Sequence, residues 1–104
     1  MKRVFAILCL VPGLVLAAGD AAKGKDVYAA RCRSCHGAAG EGNPGLAKAM
    51  NVEIRHLGSK EAQARSDDEL KKIVTGGNGK MKAVTGVDGA GLDNVIAFVR
   101  TLKQ

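Results

Sequence analysis

The chain has 104 residues, with 16 Lys and Arg against 10 Asp and Glu, and a net charge of +6 at pH 7. Only 3% of the residues are aromatic, and the basic residues are interleaved with acidic ones, which argues against a nucleic-acid-binding protein. This length accommodates one domain, and so small a core needs a disulfide, a metal or a similar internal support.

Residues 1–18 have the pattern of a secretory signal peptide. Lys2 and Arg3 form a basic start, a mostly apolar stretch follows, and small residues end it. The apolar stretch is shorter than the about 20 residues that span a bilayer, so an uncleaved membrane anchor is the weaker alternative. We expect export to the periplasm, no stable membrane insertion after cleavage, and a domain at residues 19–104. Loss of Lys2 and Arg3 lowers the net charge from +6 to +4.

The first predicted helix leads into the most informative motif of the chain. Asp20 is placed to cap this helix, and residues 32–36 then read Cys-Arg-Ser-Cys-His, the pattern of c-type haem attachment. Two cysteines three residues apart lie on one side of a helical segment, so Cys32 and Cys35 can both form thioethers with one haem c. His36 is then held where an imidazole nitrogen can bind the iron.

Three other interpretations compete for this cysteine pair. A redox-active dithiol normally accompanies a βαβ pattern, and no alternating strand pattern is present. A structural zinc site needs four ligands, and His56 is the only obvious candidate to join Cys32, Cys35 and His36. A plain disulfide would suit an oxidising compartment. The haem interpretation is favoured because the five-residue motif is the more specific signal.

The rest of the chain predicts helices separated by long loops. A glycine-rich loop follows the motif, residues 46–50 form a short helix, and residues 51–65 have no clear pattern. Ser66 and Glu69 have the spacing of a capping box and open a helix that ends at two glycines. A last amphipathic helix is expected from about residue 90 to 103. The predicted fold class is therefore all-α.

A haem-bound electron carrier usually has a second axial ligand, and methionine is the standard partner of histidine. Met81 lies in a loop between two predicted helices, where its thioether can be brought over a haem face. Met50 ends a short helix, where methionine is more often core filler. We expect His56 to be solvent-exposed. The predicted iron ligands are His36 and Met81, with Met50, His56 or an open sixth position as alternatives.

The chain resembles class I cytochromes c, particularly the small periplasmic ones, over nearly all of its length after the signal peptide. The resemblance rests on the pattern Gly24-x-x-x-Tyr28-x-x-x-Cys32, on the haem motif with the glycines after it, on the late Met81 loop and on a closing helix with Phe98.

This resemblance implies a cytochrome c fold, with three to five helices wrapped around one covalently bound haem c. It also implies that the N- and C-terminal helices cross, so that Gly24 and Tyr28 meet Val95 and Phe98. In that family the carbonyl of a loop proline often accepts a hydrogen bond from the ring of the histidine ligand, and Pro44 is the only candidate here.

One departure from the family pattern concerns the residue after the axial methionine. It is often proline in the family and is Lys82 here, so the loop lacks a fixed φ angle. We hypothesise that Lys80 or Lys82, once deprotonated, replaces Met81 on the iron at raised pH. An unchanged alkaline spectral transition in a Lys80→Ala, Lys82→Ala protein would contradict this hypothesis.

The expected function is electron transport by a monomer that is not an enzyme. Its expected partners are redox proteins with acidic docking surfaces, because complementary charge accelerates encounter. Lys25, Arg33, Lys80 and Lys82 are candidates for the docking face, and partner turnover that ignores ionic strength would argue against that role. The alternative is a ligand-binding or catalytic haem protein with an open sixth position.

Overall fold

A computed structural model describes residues 19–104, and the predicted signal peptide lies outside the described residues. The described chain contains six helices: α1 (Ala21–Arg31), α2 (Arg33–His36), α3 (Pro44–Met50), α4 (Lys60–Gln63), α5 (Asp67–Gly76) and α6 (Gly89–Arg100). Two of them, α2 and α4, are single turns of four residues, and these short turns raise the number above the three to five helices that the resemblance implies. Within this part of the chain, the strand-like pairing is limited to an isolated bridge between Asn78 and Met81. The prediction of an all-α fold is confirmed.

The helix ends follow local capping chemistry. The carboxylate of Asp20 accepts hydrogen bonds from the backbone N–H groups of Ala22 and Lys23 at 2.9 and 3.2 Å, so it satisfies donors that have no partner inside α1. Ser66 and Glu69 form the predicted capping box of α5.

Two helix boundaries differ from the prediction. Helix α3 begins at Pro44, two residues earlier than expected, because the Asn43 side chain caps it and proline fits the first helical position. Helix α6 ends at Arg100, before the expected residue 103. The hydroxyl of Thr101 donates to the Phe98 carbonyl at 2.6 Å at that end.

Helices α1 and α6 cross at close range, as the family resemblance implies. A Cβ atom on Gly24 would overlap the backbone carbonyl of Asn94 and lie 3.0 Å from the Cα of Val95. One turn further along α1, the rings of Tyr28 and Phe98 have centroids 5.0 Å apart and are tilted by 49°. Glycine therefore sets the distance of the crossing, and the aromatic pair fills the space beside it.

The fully buried core is small and is centred on this crossing. Its apolar members are five residues: Tyr28, Val87, Val95, Ile96 and Phe98. No residue of α3, α4 or α5 reaches the same burial. Within residues 19–104, no helix combines the length and the apolar character needed to cross a membrane.

The connection between α4 and α5 is tied to α6 by one guanidinium group. Arg100 donates from Nη2 to the Asp67 carboxylate and to the Arg65 carbonyl, each at 2.7 Å, and from Nη1 to the Gln63 carbonyl at 3.0 Å. Because these bonds span more than thirty residues of sequence, they hold α5 beside α6 and so complete one wall of the cavity described next.

Candidate haem site

The cysteine–histidine motif lies on α2, which continues α1 with only a small break at Cys32. The Cys32 N–H donates to the Tyr28 carbonyl at 2.8 Å, and the His36 N–H donates to the Cys32 carbonyl at 3.0 Å. The helical spacing expected for the two cysteines is therefore present. Cys32 is half-buried, Cys35 is exposed, and neither is joined in a disulfide. Burial raises the pKa of the Cys32 thiol.

The loop after the motif fixes the backbone of His36. The Gly42 N–H donates to the His36 carbonyl at 2.6 Å, and the Tyr28 hydroxyl donates to the Gly37 carbonyl at 2.5 Å. Gly37 has a φ of +85°, a conformation that L residues with a side chain rarely adopt. The Glu41 carboxylate stabilises the same loop by accepting from the Ala39 N–H at 2.7 Å. These hydrogen bonds hold the loop, and with it the end of α2, in one conformation.

Cys32, Cys35, His36 and Met81 all line one cavity of about 810 Å³. This volume is within the range of about 300 to 1,000 Å³ typical of ligand and cofactor sites. Much of its wall is apolar and half-buried, including Leu46, Val52, Ile54, Leu70, Ile73 and Val74. Apolar side chains that face a cavity instead of each other need another apolar surface to cover them.

Met81 is positioned by a tight hairpin and not by an irregular loop. Asn78 and Met81 exchange two backbone hydrogen bonds, each of 2.9 Å, across Gly79 and Lys80. Gly79 has a φ of +61° at the first central position, as in a type II′ turn. Gly77 also has a positive φ, and a Cβ there would lie 2.8 Å from the Met81 carbonyl oxygen. The two glycines are therefore what permit this hairpin.

The other methionine also lines the cavity. Met50 is the last residue of α3, and its carbonyl accepts a hydrogen bond of 2.6 Å from the Nζ of Lys80. The structure thus brings both methionine candidates to the same site. His56 is not among the lining residues.

The His36 ring carries a buried polar atom that lacks a partner. Its Nδ1 makes no hydrogen bond within the described chain, and burial lowers the pKa of the imidazole. The contact expected with the carbonyl of Pro44 is not present. Pro44 is the first residue of α3, where a carbonyl is directed along the helix axis. A neutral imidazole at the edge of an apolar cavity fits the chemistry of an iron ligand.

The expectation of an exposed His56 was wrong. The residue is half-buried, and its Nδ1 accepts a hydrogen bond of 2.9 Å from the Gly58 N–H. The next residue, Leu57, donates from its N–H to the Gly40 carbonyl at 2.9 Å. These bonds fold residues 56–58 back onto the glycine-rich loop, so His56 has a local structural role.

The charged residues around the cavity differ in part from the predicted set. Lys80 and Lys82 line it, whereas Lys25 and Arg33 do not. Three arginines outside the predicted set also line it: Arg31, Arg55 and Arg65. The side chain of Asn43 was missed as well. It donates to the Ser34 carbonyl at 3.0 Å while its oxygen caps α3, a role that an Asn-Pro pair could have indicated.

Comparison with known proteins decides the family. A family model described as cytochrome c oxidase, cbb3-type, subunit III, matches residues 19–99. The chain is a member of the cytochrome c family. It is 34% identical to cytochrome c-554(547) of Halothiobacillus neapolitanus over 83% of this chain and 100% of that protein. It is 33% identical to cytochrome c6 of Picosynechococcus sp. PCC 7002, over 95% and 92% of the two chains.

A solved structure confirms the fold of this cytochrome. The c-type cytochrome KustC0563 matches with a TM-score of 0.65 and 23% identity, over 78% of this chain and 98% of the solved one. The family resemblance drawn from the sequence is confirmed, and with it the cytochrome c fold. Family membership implies a covalently bound haem c and supports a haem-based electron carrier.

The residues of this chain fit such a group. Two thiols, one neutral imidazole and two thioethers meet at an apolar cavity of suitable size, and the orphaned Nδ1 marks a ring whose surroundings are incomplete. Within residues 19–104, His, Cys, Asp and Glu form no cluster of three that could hold a bare metal ion.

Proposed function

We propose that this cytochrome is a soluble periplasmic electron carrier with one haem c, attached through Cys32 and Cys35 and ligated by His36 and Met81. The observation that carries the proposal is that these four side chains, supplied by α2 with its N-cap and by the 78–81 hairpin, line one largely apolar cavity. A bound haem c supplies the one-electron chemistry through the ferrous and ferric states of its iron.

Attachment would use the thiols of Cys32, the N-cap of α2, and of Cys35 within α2. Each thiol would hold the group through one thioether bond, and an addition that keeps both the sulfur and the hydrogen of the thiol would consume no oxidant. Because Cys32 and Cys35 are three residues apart on one helical segment, both can react on one side of the motif. The adjacent His36 is then fixed as a ligand by the same short segment.

The chain's remaining task is to tune and protect the site. The half-buried apolar wall excludes water, and burial keeps the imidazole of His36 neutral, because it lowers the pKa of that ring. Met81 would be preferred to Met50 as the second ligand because the hairpin restrains it with two backbone hydrogen bonds. A thioether opposite histidine raises the reduction potential, which suits a carrier. The proposed partners are redox proteins with acidic docking surfaces.

The proposal is tested by absorption spectra of the periplasmically expressed protein, ferric and ferrous, with and without carbon monoxide. We expect low-spin bands, a weak ferric sulfur-to-iron band and no response to carbon monoxide. Met81→Ala should abolish the sulfur-to-iron band and create a carbon monoxide response, whereas the matched variant Met50→Ala should keep the wild-type spectrum. A high-spin wild-type spectrum that shifts with carbon monoxide would favour an open-site sensor or enzyme instead.

A further inference from the structure

A single side chain connects the end of α1, directly before the first cysteine, to the segment that follows Met81. Arg31 is the last residue of α1, directly before Cys32, and its Nη2 donates to the carbonyl of Thr85 at 2.6 Å. The bond joins residues 54 positions apart in the sequence. Gly86 lies against the same guanidinium, since a Cβ there would be 3.4 Å from Nη1.

The segment from Met81 to α6 has few interactions within itself, so each contact with another element helps to hold it in place. It contains no helix, and its hydrogen bonds to other elements involve the Val84 N–H and the Thr85 carbonyl. The Val84 N–H donates to the Val74 carbonyl near the end of α5 at 2.7 Å, and Val87 is buried in the core with 6% of its surface exposed. Between these two points, Arg31 fixes Thr85 to α1. The segment is thus held successively by α5, α1 and the core.

The thioether of methionine is a soft, neutral ligand, and ferric iron holds such a ligand weakly. Its retention therefore depends on how well the protein restrains the backbone that carries it. A charge-assisted hydrogen bond from arginine to a carbonyl is among the stronger restraints available to an exposed loop. Because Arg31 precedes Cys32, this restraint starts from the segment to which the haem itself would be attached.

We propose that Arg31 is a positioning residue for Met81, the methionine that would ligate the iron. By holding Thr85 against the end of α1, Arg31 keeps residues 82–87 in place. This restraint on the neighbouring backbone helps the Met81 thioether to compete with external ligands for the iron. This inference rests on the proposed function, in which Met81 is the second ligand.

The test is a titration of the ferric holoprotein with imidazole at constant neutral pH, following the loss of the sulfur-to-iron band. Arg31→Met retains an unbranched apolar stem like that of arginine but removes the guanidinium, which is the hydrogen-bond donor. It should lower the imidazole concentration at half-displacement about fivefold, as expected for one exposed charge-assisted hydrogen bond. Arg31→Lys, which retains a charged donor, should recover most of the wild-type value.

Three control variants separate positioning from other effects. Lys23→Met removes the same charge from an exposed site on α1, and Thr85→Val alters a side chain while its carbonyl acceptor stays, so neither should move the midpoint. Ser66→Ala weakens the cap of α5 and should lower the unfolding temperature without changing the imidazole midpoint. An equal fall of the midpoint in Ser66→Ala or Lys23→Met would overturn the inference.

The remaining outcomes are also decisive. An unchanged midpoint in Arg31→Met, with a clear sulfur-to-iron band in the wild type, overturns the inference and leaves the proposed function intact. Absence of that band from the wild type overturns Met81 ligation and the inference together. If Arg31→Met gives too little holoprotein, Arg31→Gln, whose neutral side chain is too short to replace the guanidinium, should show the same fall.

Discussion

At the crossing of α1 and α6, Val95 and Tyr28 are only 1% and 2% exposed, whereas α3 and α5 contain no residue that is fully buried. The crossing is protein packed against protein, with a glycine backbone in contact with Asn94 and an aromatic pair beside it. Much of the cavity wall instead consists of half-buried apolar side chains, and some of them, such as Leu46, Val52 and Ile54, lie outside the cluster packed around that crossing. The packing of the crossing needs no further group, whereas the apolar cavity wall is suited to packing against a cofactor.

The largest effect should come from removing the haem attachment. In Cys32→Ala, Cys35→Ala, produced without haem, we expect loss of most of the helical circular dichroism signal and of cooperative unfolding. The reason is that a small core gains much of its stability from a group that binds only the native state. Thermal unfolding followed by far-ultraviolet circular dichroism measures it.

A matched variant provides the control for this experiment. Ser34→Ala changes an exposed residue inside the motif, so it should bind haem and unfold like the wild type. If the double cysteine variant remained well folded without haem, the cavity wall would be stable alone and the contrast between the two regions would be lost.

The next effect tests the crossing itself. Gly24→Ala should destabilise the protein by about 3 kcal/mol, because the new methyl group would overlap the Asn94 backbone and force the helices apart. Chemical denaturation of the holoprotein measures this free energy of unfolding.

Gly91→Ala is the matched control, because a Cβ on Gly91 meets nothing within 4 Å. This change inside α6 should stabilise the protein by up to about 1 kcal/mol, as alanine is the better helix former. Equal effects at the two glycines would mean that helix propensity, and not the close approach of α1 to α6, governs stability.

The sequence predicted the two regions unequally, for physical reasons. Asp20, Ser66 and Glu69 act through bonds to nearby backbone groups, so their helix ends can be identified from short-range spacing. The haem motif can also be identified from the short-range spacing of its residues. The contact of Gly24 with α6 is long-range, and it was anticipated only because a family resemblance supplied the pairing.

The cavity side was less predictable because its contacts join distant segments. Arg31 reaches Thr85 and Lys80 reaches the carbonyl of Met50, and neither bond has a signature in the spacing of residues. The same holds for His56, whose half-burial depends on how residues 56–58 fold onto the glycine-rich loop. A loop stabilised by side-chain bonds to remote carbonyls can be described only once the fold is known.

The smallest effect lies where the two regions meet. The Tyr28 ring belongs to the crossing, while its hydroxyl donates to the Gly37 carbonyl in the loop that supports His36. Tyr28→Phe keeps the ring and removes that bond, so it should cost about 1 kcal/mol of unfolding free energy at pH 7. Denaturation with urea at several pH values measures it, and no cost at pH 7 would mean that the hydroxyl bond adds nothing to stability.

The pH dependence makes this prediction sharper. Burial raises the pKa of Tyr28 to about 12, so the folded protein keeps the phenol proton to a higher pH than the unfolded chain, whose tyrosines titrate near about 10. The stabilisation is therefore fully present below about pH 10 and is lost as the pH rises towards 12. Because phenylalanine does not titrate, the wild type should lose its advantage over Tyr28→Phe near about pH 11 and become the less stable protein above it. A constant difference between the two proteins from pH 9 to pH 12 would show that Tyr28 ionises equally in both states, and that the crossing does not shield its hydroxyl.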